Sequence, residues 1–237
     1  RLSGKSRFLG RGRAMSPLLT LKGKQWALST PTKIDMPLKE NADFSGQVLA
    51  VDMGINTAAV CAVVDKYGTV VHRSFFDRTD KDRVYQIMQR IRSKAKKATR
   101  HGNKIPSGFC ASEHRRLRQL NQNMSHQISR KIVDLAHKFG CDGIIIEDLK
   151  RWKPKGHSKT MKIKFHNWFK SSLSDNIQSK SVEIGVRTHP MYARGTSSYA
   201  YDGSGKLLRD KDNYANARFI SGKRYNADLN AAYNIAT

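Results

Sequence analysis

The sequence has few cysteines, few acidic residues and no long apolar run. Its three cysteines, Cys61, Cys110 and Cys141, are odd in number and widely separated, so they form neither a disulfide framework nor a C-x-x-C metal pair. We therefore expect a reducing, intracellular setting. No apolar stretch approaches the roughly 20 residues of a membrane-spanning helix. A Walker loop, a dinucleotide fingerprint and an H-E-x-x-H motif are also missing, which argues against the enzyme classes that depend on them.

Acidic residues are outnumbered more than two to one, with 19 Asp and Glu against 44 Lys and Arg, and the formal net charge is +25. Such an excess indicates a polyanionic partner, and nucleic acid is the natural candidate. A membrane surface is a weaker candidate because no isolated basic amphipathic helix is present. With 237 residues and 38% hydrophobic residues, the chain is long enough for one sizeable domain plus an appendage.

Two apolar runs each end in a carboxylate. Residues 47–52 are rich in branched side chains and predict a buried strand that ends at Asp52. Residues 143–147 contain three consecutive isoleucines and lead directly into Glu147. Because ligands of open α/β sheets bind at the carboxyl ends of the strands, both acids could converge there. A turn aspartate that caps the strand exit is the alternative interpretation of Asp52.

A third acid, Asp228, lies on the first turns of a short helix predicted over residues 225–236. Mg²⁺ prefers hard oxygen ligands and binds a few acidic residues together with substrate phosphate oxygens. Two such ions about 3.5 to 4 Å apart can activate a water and stabilise the leaving oxygen in phosphodiester hydrolysis. We therefore predict that Asp52, Glu147 and Asp228 bind two Mg²⁺ ions, and that Mn²⁺ can replace Mg²⁺.

The remaining pattern predicts a mixed sheet with helices. Strands over residues 57–64 and 69–76 would form an antiparallel meander with the first strand. Apolar residues at helical spacing predict one helix that begins near Asp80 and a second that ends at Gly140. A helix over residues 165–180 and a strand over 182–187 would complete a β-α-β crossover.

Thirteen basic residues are predicted to contact nucleic-acid phosphates. One set lies on the two helices, where dense like charges destabilise a helix unless anions neutralise them. Another lies in a basic loop after Glu147, where it would hold a polyanion over the acids. The last set lies in or next to residues 191–223, which are rich in tyrosine. These tyrosines suit stacking of unpaired bases; the alternative interpretation is that they only support the final helix. These residues are Lys94, Lys96, Lys97, Arg100, Arg115, Arg116, Lys150, Arg151, Lys153, Lys155, Arg194, Lys223 and Arg224.

Residues 51–56, 145–149 and 226–235 resemble the three RuvC-like motifs of the TnpB family. These proteins are transposon-encoded, RNA-guided DNA nucleases related to type V CRISPR effectors. The resemblance implies an α/β, RNase H-like (RuvC-like) fold, a mixed sheet flanked by helices. It also implies that Asp52, Glu147 and Asp228 form the metal-binding catalytic triad, with a guide RNA and a target DNA as partners. A cytoplasmic, nucleoid-associated prokaryotic protein would follow.

The chain departs from this family in two places. Residues 191–223 contain no cysteine, so a hairpin insertion with a turn at residues 202–205 would replace the usual zinc ribbon, and no zinc is expected. Near the N-terminus, a basic arm and a β remnant of a WED-like domain fill residues 1–45. A second protein chain would then supply the recognition functions, or the chain is a truncated member. The nuclease core would span residues 46–190, and the last motif helix residues 224–237.

Three functions are compatible with these features. The first is a metal-dependent, RNA-guided DNA endonuclease. The second is an RNA-guided DNA-binding protein of the same family whose cleavage is weak or lost. The third, a basic RNA-binding protein without catalysis, accounts for the charge but not for three acids at strand and helix ends.

Overall fold

The computed structural model describes residues 10–38, 46–100, 102, 104–149, 169–192, 194–210 and 212–237. The chain divides into two compact units, Arg1–Leu38 and Lys39–Thr237. No helix in the described ranges is long and apolar enough to cross a membrane.

The first unit consists of short antiparallel strand pairs. Strands β2 (Leu18–Lys22) and β3 (Gln25–Ser29) form a hairpin, and β1 (Arg13–Ala14) pairs with β4 (Thr32–Lys33). Residues 1–45 therefore contain β-strands, as predicted. Its apolar side chains are largely exposed, including Trp26 at 67%.

The second unit is built on a five-stranded mixed sheet in the order β7-β6-β5-β8-β9. Strands β5 (Gln47–Asp52), β6 (Ala59–Asp65) and β7 (Val70–Phe76) form the predicted antiparallel meander. Strands β8 (Gly143–Glu147) and β9 (Arg187–Met191) run parallel to β5. Four strands therefore share one direction, and only β6 opposes it.

Burial along the strands follows their place in the sheet. Strands β5 and β6 lie inside the sheet and are buried on both faces, which explains their continuous apolar sequence. Strand β7 lies at the edge and alternates between exposed and half-buried residues. The branched runs seen in the sequence therefore mark the strands at the centre of the sheet.

Helices cover both faces of the sheet. One face packs against α2 (Ala111–Lys138) and α3 (Lys170–Val182), which bury apolar side chains from all three inner strands. The other face packs against α4 (Ala227–Ala236). Because successive residues of a strand point to opposite faces, each strand contributes alternately to these two cores.

Helix α1 (Lys81–Ala98) forms a hairpin with the start of α2. Val84 and Ile87 of α1 pack against Leu117 of α2 in a small separate core. The side chain of Lys94 forms an ion pair with Glu113 across this hairpin. The two predicted helices are thus confirmed, and they present their basic faces to solvent.

A mostly irregular connection joins β9 to α4 and contains a small antiparallel sheet. Its strands are β10 (Leu208–Arg209), β11 (Asn216–Arg218) and β12 (Arg224–Asn226). The aromatic cluster, defined as Tyr201, Phe219, Tyr225 and Tyr233, packs this sheet against α4. The Tyr225 and Tyr233 hydroxyls lie 2.8 Å apart in a hydrogen bond. These contacts stabilise the connection without cysteine.

Two boundaries differ from the sequence prediction. The strand predicted over residues 182–187 is wrong, because α3 continues to Val182 and Gly185 reverses the chain with a φ of +74°. Residues 184 and 186 are apolar because they pack on the core from this turn, and the strand begins only at Arg187. The last helix also starts later than predicted, since residues 225 and 226 belong to β12.

Candidate active site

Asp52 and Glu147 occupy matching positions at the carboxyl ends of two neighbouring parallel strands. Val51 of β5 pairs with Ile146 of β8, so the two acids follow one step beyond that pair. Both side chains are buried, with exposed fractions of 7% and 6%. Alternation along the strands places both on the face covered by α4, together with Ile145.

Asp228 approaches the same face from the first turn of α4. Asn226 is the N-cap of this helix, and its side-chain oxygen accepts hydrogen bonds from the backbone N–H groups of Asp228 and Leu229 at 3.0 and 2.9 Å. Leu229 packs in the core formed by β5, β6 and α4, which fixes the helix on the sheet. The half-buried Asp228 carboxylate therefore stands over the strand ends.

The three acids interact electrostatically. Burial, then the charges of Glu147 and Asp228, raise the pKa of the Asp52 carboxyl well above its usual range. Burial also raises the pKa of Glu147 and that of Asp228. Because charged carboxylates repel one another in a buried setting, this arrangement favours either a bound proton or a bound cation.

Two residues that the sequence did not single out as site residues contact or influence these acids. Thr196 donates its hydroxyl hydrogen to Glu147 Oε1 at 2.7 Å, and this bond lowers the pKa of Glu147. The Arg209 guanidinium lowers the pKa of Asp52 and that of Asp228. Both residues come from the connection between β9 and α4. Only the tyrosine-and-cation composition of that stretch could have drawn attention to them.

The donor set suits a hard divalent cation, since it consists of carboxylate oxygens. Among the described residues, no three His, Cys, Asp or Glu side chains are arranged to hold a metal ion together. Shared binding by Asp52, Glu147 and Asp228 would therefore need a change of side-chain rotamer in at least one of them. The negative charges of Glu147 and Asp228 beside Asp52 outweigh the positive charge of Arg209, and this net negative charge favours a bound cation.

The predicted phosphate-binding residues fall in several places. On α1 and just beyond it, Lys96, Lys97 and Arg100 are exposed, whereas the exposed Lys94 is paired with Glu113. A further exposed group lies on α2 and in the connection before α4: Arg115, Arg116, Arg194, Lys223 and Arg224.

Lys223 is already engaged within the fold. Its ammonium group donates to the Tyr201 hydroxyl at 2.5 Å and lies 5.2 Å from the Tyr225 ring centroid. Lys223 therefore contacts the aromatic cluster through a hydrogen bond and a cation–π interaction. The four residues of the predicted basic loop, Lys150, Arg151, Lys153 and Lys155, lie outside the described residues.

A cavity of about 110 Å³ opens at the same edge of the sheet. Its lining includes Ile146, Thr188 and Ser174, and Glu147 borders it. Ile146 packs in the core formed with α2 and α3, so the cavity lies mainly on the face opposite α4. Of the three acids, only Glu147 lines it.

A TnpB-like protein of Aquifex aeolicus (strain VF5) is 25% identical to the chain over 127 residues, which cover 51% of this chain and 42% of that protein. The cryo-EM structure of a Cas12f1–sgRNA–target DNA complex has a TM-score of 0.57 at 16% identity. The match covers 92% of this chain and 55% of the Cas12f1 chain. The sequence is thus similar to a TnpB-like protein, and the fold is similar to that of Cas12f1. The predicted α/β, RNase H-like fold and the predicted resemblance are confirmed.

Other comparisons agree on the fold. The crystal structure of Alicyclobacillus acidoterrestris C2c1 with single-guide RNA has a TM-score of 0.54 at 10% identity, and the match covers 98% of this chain and 43% of the C2c1 chain. The chain thus spans between 42% and 55% of the length of these three relatives. No family model matches it.

Proposed function

We propose that the chain is the nuclease part of an RNA-guided DNA endonuclease that cleaves phosphodiester bonds with divalent metal ions. One observation carries this proposal: Asp52, Glu147 and Asp228, far apart in sequence, interact on one face at the carboxyl end of a RuvC-like sheet. A structural role does not account for buried acids whose charges repel one another, because such groups destabilise the fold.

Asp52, Glu147 and Asp228 would hold Mg²⁺, or Mn²⁺, through carboxylate oxygens. When bound, these ions supply positive charge at the scissile phosphate and lower the pKa of an attacking water. The chain itself contributes a buried pair of acids, a hydroxyl that orients Glu147, and the Arg209 guanidinium near Asp52 and Asp228. The guanidinium is a permanent cation suited to a phosphate oxygen.

The proposed partners are a guide RNA and a target DNA. The Cas12f1 relative was solved with an sgRNA and target DNA, and the net charge of +25 suits two nucleic acids. The exposed cations of α1 and α2 are the described residues that we assign to phosphate contact. The chain spans about half the length of its solved relative. We therefore also propose, as a partner, a second protein chain or a further segment that recognises the target. Such a protein would act in the cytoplasm, at the nucleoid.

Cleavage of labelled DNA by the full chain, purified with its bound RNA, tests this proposal. Wild type should cut in Mg²⁺ and stop in EDTA. Asp228→Asn should cut roughly 100-fold more slowly or worse, as expected when an essential charge is removed from a polar active site, while RNA and DNA affinities stay within threefold. Asp212→Asn, at an exposed acid of the same region, is the matched control and should cut normally.

Equal cutting by wild type and Asp228→Asn would eliminate the assigned chemistry. Tight, RNA-dependent DNA binding with no Mg²⁺-dependent cutting would instead favour the binding protein with lost cleavage. RNA binding alone, with no effect of the guide on DNA affinity, would favour the basic RNA-binding protein.

A further inference from the structure

Segment 196–201, in the connection between β9 and α4, is bound to α4 by two asparagine side chains. Asn230 is fully buried. Its amide nitrogen donates to the Tyr199 carbonyl at 2.7 Å, and its side-chain oxygen accepts from the backbone N–H of Tyr201 at 2.9 Å. One turn on, Asn234 donates to the carbonyls of Thr196 and Tyr199, both at 2.8 Å. Because residues four apart share a helix face, the two amides fix this segment to the helix that carries the third acid.

The first residue of the same segment contacts the second acid. The Thr196 hydroxyl donates to Glu147 Oε1 at 2.7 Å, and both side chains are buried. No described residue donates a hydrogen bond to Glu147 Oε2. A buried acceptor that loses its donor costs about 1 to 3 kcal/mol, so the hydroxyl selects the rotamer that turns Oε1 towards Thr196. The other oxygen then remains for a ligand.

Arg209 contacts the segment as well. One of its guanidinium nitrogens donates to the Ser197 carbonyl at 3.4 Å, and the other donates to the Tyr214 carbonyl at 3.2 Å. Segment 196–201 is thereby held by α4 and by the small sheet before it. A backbone fixed at this many points can carry a side chain whose orientation matters.

We propose that Thr196 is a positioning residue for Glu147, and that Asn230 and Asn234 make the orientation of Glu147 depend on the helix that carries Asp228. The hydroxyl fixes Oε1, so Oε2 would remain available to a divalent cation held by the acids. This inference rests on the proposed function, because it assigns a ligand oxygen at the same site. Removing a residue that orients a metal ligand typically lowers metal affinity or activity by about 10- to 100-fold.

The test compares Thr196→Val, which keeps the shape and removes the hydroxyl, with Thr196→Ser, which keeps the hydroxyl. Mn²⁺ affinity of the full chain, freed of nucleic acid, is measured by electron paramagnetic resonance, and thermal stability is measured in EDTA. We expect Thr196→Val to weaken Mn²⁺ binding by about 10-fold or more, and Thr196→Ser to stay within about threefold of wild type. Asn234→Ala should weaken it in the same direction, and Thr69→Val, at an exposed turn, should change nothing.

The outcomes separate this inference from the proposed function. If wild type binds Mn²⁺ and cuts DNA, but Thr196→Val does both equally well, Thr196 has only a structural role and the inference is overturned. A stability loss in Thr196→Val that serine restores, with unchanged Mn²⁺ affinity, leads to the same conclusion. A wild-type chain that neither binds Mn²⁺ at millimolar concentration nor cuts DNA in Mg²⁺ would overturn both proposals.

Discussion

Replacing Asp52 by asparagine should stabilise the metal-free protein while abolishing cleavage. The Asp52 carboxylate is buried, and no described residue donates a hydrogen bond to it. Burial and the charges of Glu147 and Asp228 raise its pKa well above the usual range. Asparagine keeps the shape, removes the charge and adds an N–H donor beside the remaining acids. Stabilising substitutions commonly cost activity where a destabilised active site is needed for function.

The magnitude follows from the sheet. Strands lie about 4.8 Å apart, so the matching positions of Asp52 and Glu147 bring their charges to about 5 Å. Two unit charges at this distance repel by about 3 kcal/mol at an effective dielectric constant of about 20. Because proton uptake by Asp52 relieves this repulsion as pH falls, we expect a gain of at most about 3 kcal/mol, and of about 1 to 3 kcal/mol at pH 8. At about 2 to 4 °C per kcal/mol for a domain of this size, Tm should rise by roughly 2 to 12 °C.

The gain should depend on pH in a defined direction. The pKa of Asp52 in the folded protein is raised above its ordinary value of about 3.9, so folding takes up a proton at this site. Stability from this group is therefore greatest below about pH 4, falls as pH rises through the raised pKa, and is constant above it. Asp52→Asn has no carboxyl to ionise here, so it should not lose this stability as pH rises. The stability difference between variant and wild type should grow from near zero at pH 4 to its full size at pH 8.

Urea and thermal unfolding in EDTA at pH 4, 6 and 8 measure this difference. Asp212→Asn, at an exposed acid, is the control and should lie within about 0.5 kcal/mol of wild type throughout. Addition of Mg²⁺ should raise the Tm of wild type more than that of Asp52→Asn, because a ligand stabilises only the protein that binds it. An Asp52→Asn protein that is less stable than wild type at pH 8 would refute the repulsion that we infer.

Three further predictions concern the surroundings of the site. Arg209→Gln removes the cation that lowers the pKa of Asp52 and of Asp228, so the rising limb of the cleavage profile should move to higher pH; an unmoved limb would contradict this. The double variant Arg115→Gln/Arg116→Gln should weaken binding to all DNA sequences alike and reduce the slope of log K against log salt by about 1.8, measured by anisotropy; a loss confined to one sequence would contradict a phosphate role. Tyr233→Phe removes the hydrogen bond to the Tyr225 hydroxyl and should cost about 1 kcal/mol of unfolding free energy; an unchanged urea midpoint would show that the bond contributes nothing.

The central sheet was predictable because its signals are local. The branched run that ends at Asp52 and the isoleucines before Glu147 are typical of buried strands, and the carboxylates follow at the ends of these strands. The two long helices were predictable from the spacing of their apolar residues. By contrast, the apolar positions at 182, 184 and 186 matched a strand but belong to a helix end and a turn, because alternation over five residues also fits that geometry.

The contacts of Thr196 and Arg209 were not predictable from the sequence. Each depends on the path of a mostly irregular connection that contains only short strands, and no local pattern specifies which of its polar side chains points inward. The asparagines of α4 were visible within a motif, but their partners are backbone carbonyls more than 30 positions away. Sequence periodicity reports which face is buried and contains no information on such pairings.

The connection between β9 and α4 therefore has two separable roles. The aromatic cluster supports α4, as the alternative interpretation of its tyrosines required. The same connection also supplies Thr196, which donates to Glu147, and Arg209, which lowers the pKa of Asp52 and that of Asp228. A purely supporting insertion would need only apolar contacts with α4, and it would have no reason to place a hydroxyl and a guanidinium beside buried acids. Because these two groups offset part of the repulsion between the carboxylates, the connection contributes to the electrostatics of the site as well as to its scaffold.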